Sequence, residues 1–214
     1  LTKQLALRFL YYIIGMLVLA LGITLNTKTG LGVSPIISVP YGIATIFSLD
    51  FGNITFLIYT AFVFTEWILS KKAKVFFQLP VALLFTRFMN LFNFLLQIKL
   101  SGLFANLLLL ILAVILTGIG AAMSLNMRLI PNPGDGIVQA LSDFSHKEIG
   151  LVKNCFDLFC ICVTILLALF CTGHLIGIGI GTVIAVIGVG RTIFLFNHFF
   201  RIGMNQSAGV LPII

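Results

Sequence analysis

The sequence predicts an all-α polytopic membrane protein, with six transmembrane helices plus two re-entrant half-helices arranged as two inverted three-span repeats. Three observations carry this prediction. The first is composition: of 214 residues, 60% are hydrophobic and 9% charged, with a mean hydropathy of +1.17. An average soluble domain carries about 25% charged residues, and it could not bury this much apolar surface. The second is the distribution of charge, which lies at the flanks of long apolar runs. The third is a pair of short apolar segments that each begin with a polar residue followed by proline, Ser34-Pro35 and Asn132-Pro133.

Ser and Asn are N-cap residues, and Pro suits the first helical turn because it has no N–H to leave unpaired. These caps predict helices over 35–47 and 133–144. At about 1.5 Å per residue each is roughly 18–20 Å long, too short for a hydrocarbon core about 30 Å thick. Both are too apolar for surface loops. They read as half-membrane helices whose positive N-terminal ends face a shared centre.

The remaining spans follow in order. Lys3 and Arg8 precede an apolar run over 9–25, too long for a signal peptide and with no small-residue cleavage site after it, so it reads as the first span. Residues 26–30 form a polar turn before the first half-helix, in which Pro40 predicts a kink. Asp50 and Gly52 mark the next turn. The second span covers 54–69, the third 75–98 with Arg87 near its middle, and the fourth 103–125. After the second half-helix and a polar patch over 142–148, the fifth span covers 151–171 and the sixth begins near Leu175.

The pattern of the first half restarts in the second. At an offset of 98, Gly22 falls on Gly120, Ser34 on Asn132, Pro35 on Pro133 and Gly52 on Gly150. Beyond Lys71–Lys74 the offset grows to 104, where Arg87 falls on Arg191 and Asn93 on Asn197. Residues 1–101 are thus the first repeat and 102–214 the second. Three full spans per repeat is an odd number, so the second copy is inverted. With the N-terminus inside, Lys3, Arg8, Lys71, Lys72, Lys74, Arg128, Lys147, Lys153 and Arg201 lie inside, and Lys28 and Lys99 outside. That bias fits cytoplasmic N- and C-termini. It also accounts for the net charge of +7 as a topology signal, so nucleic acid is not an expected partner.

The run Leu31-Gly32-Val33-Ser34-Pro35, the run Pro133-Gly134-Asp135-Gly136 and the repeat around them resemble the YczE/YyaS/YitT family of bacterial integral membrane proteins. The resemblance covers nearly the whole chain and implies a bacterial inner membrane and an internal duplication. That family typically shows Trp-Asp directly after the first Ser-Pro, where Ile36-Ile37 stands here. The resemblance implies no particular activity.

Half-helices that meet inside a membrane are a recurrent plan of transporters and channels, with helix N-termini facing anionic or polar groups. The candidate solute-binding residues are Ser34, Arg87, Asn132, Gly134, Asp135 and Arg191. Asp135 sits near the third position of its half-helix, where it either complements the helix dipole or acts as a coupling group. An arginine deep in a bilayer is costly unless it is paired or reaches water. Arg87 and Arg191 therefore either bind solute or form internal pairs, Arg191 with Asp157 and Arg87 with Glu66. Snorkelling to an interface is a further option. Asp157 and Glu66 are accordingly coupling or ion-pair candidates.

Gly173, Gly177 and Gly181 recur every four residues, a spacing that predicts a close-packing helix face, within the chain or in a homodimer. Cys155, Cys160, Cys162 and Cys171 lack metal-ligand spacing, and His146, His174 and His198 are scattered, so neither a metal nor a cofactor is expected. No nucleotide loop, nucleophile elbow or zinc motif occurs, and the chain does not read as an enzyme. The leading expectation is a gradient-driven or passive transporter or channel for a small anionic or polar solute. A non-transporting membrane scaffold is the alternative, and a membrane-embedded lipid-modifying enzyme the third.

Overall fold

The computed structural model describes residues 3–98 and 100–210. Lys99, counted above among the outer charges, lies outside the described residues. Among the described residues eight α-helices follow one another: α1 (Lys3–Lys28), α2 (Pro35–Ile46), α3 (Phe51–Ser70), α4 (Gln78–Leu95, preceded by a 3-10 turn over Ala73–Phe77), α5 (Leu103–Asn126), α6 (Pro133–Ser145), α7 (Ile149–Thr172) and α8 (Ile180–Ser207). Six segments are long and apolar enough to cross a membrane: α1, α3, the 3-10 turn with α4, α5, α7 and α8. Helices α2 and α6, at 12 and 13 residues, are not.

The centre of the molecule is the seam between α1 and α5, with α4 flanking α1 and α8 flanking α5. Glycine makes this seam possible. A Cβ at Gly15 would fall 2.8 Å from the Ser124 nitrogen, and one at Gly22 would fall 2.5 Å from the Thr117 nitrogen. Position rises along α1 as it falls along α5, so the two helices run antiparallel with their backbones in contact. This is the small-residue packing by which helices associate where no hydrophobic effect drives them together. Gly118 and Gly188 do the same for α5 against α8, facing Thr192 and Val114.

Each short helix packs across the halves, α2 mainly on α7 and α6 mainly on α3. Where α2 meets α7, the buried Ser38 and Thr164 hydroxyls are 2.8 Å apart. Where α6 meets α3, Gly136 lies directly under the Glu66 carboxylate and the Gln78 amide. The core around these contacts is Met16, Tyr59, Phe85, Met89 and Met127. Outward-facing side chains such as Phe94, Phe104 and Phe170 are exposed, as lipid-facing residues are in a bundle solvated by a bilayer.

Helix α2 is continuous through Pro40, the position of the expected kink. Two expectations are revised. Ser34 stands at the α2 N-cap in extended backbone but makes no capping bond, whereas Asn132 Oδ1 accepts from the Gly134 N–H at 3.1 Å. The glycines after α7 form no helix face, because residues 173–179 are not helical. Gly173 and Gly177 turn at φ +73° and +77°. Gly179 and Gly181 instead lie against the Leu31–Gly32 backbone, where any side chain would collide.

Candidate functional site

The first turn of each short helix is held by its approach loop. Before α2, the Val33 N–H donates to the Gly177 carbonyl at 2.9 Å and the Gly181 N–H donates to the Leu31 carbonyl at 2.7 Å. The glycine-rich segment leading into α8 thus straps the loop that starts α2. Before α6, Arg8 Nε donates to the Met127 carbonyl at 2.6 Å, Arg8 Nη2 to the Arg128 carbonyl at 2.8 Å, and the Tyr12 hydroxyl to the Ile130 carbonyl at 2.7 Å. Arg8, read from sequence as a topology charge, is a fastener for this loop.

So held, the two N-termini meet. A Cβ at Gly134 would lie 3.5 Å from Ile36 Cγ2, an ordinary contact. Around the meeting point is a cavity of about 210 Å3, whose wall includes Ser34, Ile36 and Ile37 from α2, Asn132, Gly134 and Asp135 from α6, and Tyr59, Lys153 and Asp157. A second cavity of about 110 Å3 shares Leu19, Leu125, Asn132 and Asp135 with the first, and is also lined by Tyr12 and Arg128. It shares Tyr12 and Arg128–Ile130 in turn with an open groove between α1 and α4, bordered by Phe9 and Pro80. Asp135 stands between the two cavities and is exposed, although it sits among the helices. Its open surface therefore faces the cavities.

The site is electrically two-sided. At α2, Pro35 has no N–H, and the N–H groups of Ile36 and Ile37 have no partner within the helix; this positive end carries no acidic side chain. At α6, Asn132 caps the first turn and Asp135 opposes the dipole. Lys153 Nζ lies 3.4 Å from Asp157 Oδ2, one helical turn apart, and both are in electrostatic reach of Asp135. Asp157 is 7% exposed, and its Oδ1 is buried without a hydrogen-bond partner among the described residues. The Asp135 carboxylate likewise has no hydrogen-bond or ion-pair partner among them.

Of the sequence-derived candidates, Ser34, Asn132, Gly134, Asp135 and Asp157 line the larger cavity, and Arg87, Arg191 and Glu66 do not. Arg87 and Arg191 are exposed on the outer surface of the bundle. The reason is helical phase. The buried stripe of α4 includes Phe85 and Met89, and Arg87 lies two residues from each, about 200° around the helix at 3.6 residues per turn. Val189 and Ile193 of α8 face the cavity, which puts Arg191 on the opposite side in the same way. The expected pairs differ as well: Asp157 is bound to Lys153, and Glu66 Oε2 accepts from Gln78 Nε2 at 2.9 Å.

Arg87→Ala and Arg191→Ala are therefore expected to destabilise the fold by no more than about 0.5 kcal/mol, as substitutions outside the core do. Thermal unfolding of the purified variants checks this.

Lys153 and Tyr59 are the residues that sequence reasoning missed. The spacing of Lys153 and Asp157 already signals a helical ion pair, but a lysine near a span end also reads as a topology charge. Tyr59 lies inside an apolar run and has no sequence signal of its own. Among the described residues, no group of three or more His, Cys, Asp or Glu side chains is placed to hold a metal ion.

Comparison with known proteins adds a lineage. No solved structure matches the chain. It is 28% identical over 193 residues to the "Uncharacterized protein YyaS" of Bacillus subtilis (strain 168), covering 89% of this chain and 92% of that one. It is also 28% identical over 190 residues to the "Uncharacterized membrane protein YczE" of the same organism, covering 88% and 84%. The family described as "Family of unknown function (DUF6198)" matches residues 6–198. Since that match runs from the first turns of α1 well into α8, the chain, a multi-pass membrane protein with six apolar helices, belongs to the DUF6198 family, in line with its resemblance to YczE and YyaS.

Proposed function

We propose that this protein is a transporter or channel of the bacterial inner membrane, passing a small polar or charged solute through the cavity between the α2 and α6 N-termini. The observation that carries the reading is that cavity. Irregular backbone and unpaired N–H groups at membrane depth are tolerated only where protein or water surrounds them. Here two helix starts, an unpartnered carboxylate and an ion pair border one open space. The smaller cavity, which shares wall residues with this space and with the groove between α1 and α4, marks a way in from one side.

Inverted symmetry supports the same reading, because alternating access uses two oppositely oriented halves around one site. The antiparallel α1–α5 seam is what an inverted pair would make. An offset of 98 carries Gly22, facing Ala113 and Thr117, onto Gly120, facing Gly15 and Leu19. The same offset carries Ser38 and Glu66 onto Gly136 and Thr164, exchanging the α2–α7 contact with the α6–α3 contact. Offsets of 98 and 104 carry the Lys28–Asn93 bond onto the Asn126–Asn197 bond. In this scheme α2 and α6 are re-entrant, residues 1–101 and 102–214 are the two halves, and the termini are cytoplasmic. Asp135 and Asp157 are the groups available to couple flux to a gradient.

The test is flux into proteoliposomes made with the full chain, over a panel of small labelled anions, cations and amino acids. The expected result is protein-dependent entry of at least one solute. A folded, correctly inserted protein that passes none of them would defeat the reading in favour of a scaffold.

A further inference from the structure

We infer that the solute is amphoteric, a small molecule bearing both a carboxylate and an ammonium group. The inference rests on the transport reading above and names the chemistry of that same cavity. Its two ends ask for opposite charges. At α2, the N–H groups of Ile36 and Ile37, the uncommitted Ser34 hydroxyl and the positive end of a 12-residue helix form an anion seat, with no carboxylate on that turn to fill it. At the other end, among the described residues that line this cavity, Asp135 and Asp157 face one cation, Lys153, which bonds Asp157 through Oδ2. One negative charge is left over there, and Asp157 Oδ1 is left buried with no donor among the described residues.

Charge decides between the alternatives. A simple anion would fill the α2 seat but add a second unbalanced negative charge beside Asp135. A simple cation would answer the acidic end but leave the α2 N–H groups empty. A zwitterion answers both, its ammonium donating to the acidic end and its carboxylate accepting from α2. The cavity of about 210 Å3 has room for a small amino acid, since about 10–15 Å3 of such volume already admits a water.

The experiment is thermal unfolding of the detergent-purified full chain with matched probes. Glycine, β-alanine and 4-aminobutyrate are compared with acetate, propionate and butyrate, which lack the amine, and with methyl-, ethyl- and propylammonium, which lack the carboxylate. At least one amino acid is expected to stabilise the protein with an apparent Kd tenfold or more below those of its acid and amine counterparts. That preference over the acid is expected to vanish in Asp157→Asn. Should that variant fail to fold, Asp135→Asn replaces it, and the wild-type ranking alone still decides. An acid or an amine binding as tightly as the amino acid would overturn the inference while leaving the transport reading intact. No stabilisation by any of the nine probes would also overturn it. Failure of the transport reading shows separately, as absence of all flux in proteoliposomes.

Discussion

Gly120→Ala is expected to cost the fold about 1–3 kcal/mol, the usual penalty of overpacking a tight contact, and to lower the melting temperature of the purified protein. Its new methyl group would run into the Leu19 nitrogen and lie 2.6 Å from the Gly15 carbonyl oxygen. These are backbone atoms, so no side-chain rotation relieves the clash, and α1 and α5 must separate along the central seam. Gly203→Ala is the matched control. That glycine is also helical, but nothing stands within 4 Å of the added carbon, so the same substitution there is expected to be neutral or mildly stabilising through helix propensity. Differential unfolding of the two variants checks the prediction. Equal melting temperatures would mean that α1 and α5 do not meet backbone to backbone.

Asp135→Asn is expected to leave the melting temperature unchanged or raised, and to lower solute flux ten- to a hundredfold. The two effects part because of where the carboxylate sits. It has no hydrogen-bond or ion-pair partner among the described residues and it borders both cavities, so its charge contributes little to the fold. The near-isosteric amide removes that charge without opening a void. A hydrogen bond between a charged group and solute is worth about 1.5–3 kcal/mol, which is about ten- to a hundredfold in rate or affinity. Proteoliposome flux beside thermal unfolding measures both. A variant that melts early and carries solute normally would assign Asp135 to the fold instead.

What could be read from the sequence divides along physical lines. Apolar length and polar turns report helix bounds well: the expected short helices at 35–47 and 133–144 are α2 at Pro35–Ile46 and α6 at Pro133–Ser145. The N-cap and Pro chemistry that starts them is local, so it is written in three or four consecutive residues. The face a residue presents is a tertiary fact. In helices apolar nearly all round, the amphipathic stripe that would give the phase of Arg87 or Arg191 is weak. Their matching positions at an offset of 104 therefore suggested a shared site, where the fold shows a shared outward face. Lys153 failed in the opposite sense, because a lysine near a span end looks like any other topology charge until its neighbours are known. The glycines at 173, 177 and 181 carried a helical spacing, yet two of them serve positive-φ turns, a distinction that spacing alone does not make.

The most direct test of the account is whether water reaches the meeting point of α2 and α6. Cys155, Cys160, Cys162 and Cys171 would first be replaced by serine or alanine. Single cysteines would then be placed at Gly134, where a side chain is accommodated beside Ile36, and at Ala168, which is 0% exposed in α7. Both would be treated with a membrane-impermeant methanethiosulfonate reagent in oriented vesicles. The account predicts rapid modification at 134 from at least one side of the membrane, and none at 168. Protection of both positions from both sides, in variants that still melt like the parent, would contradict it and make the junction of the two short helices a solid core.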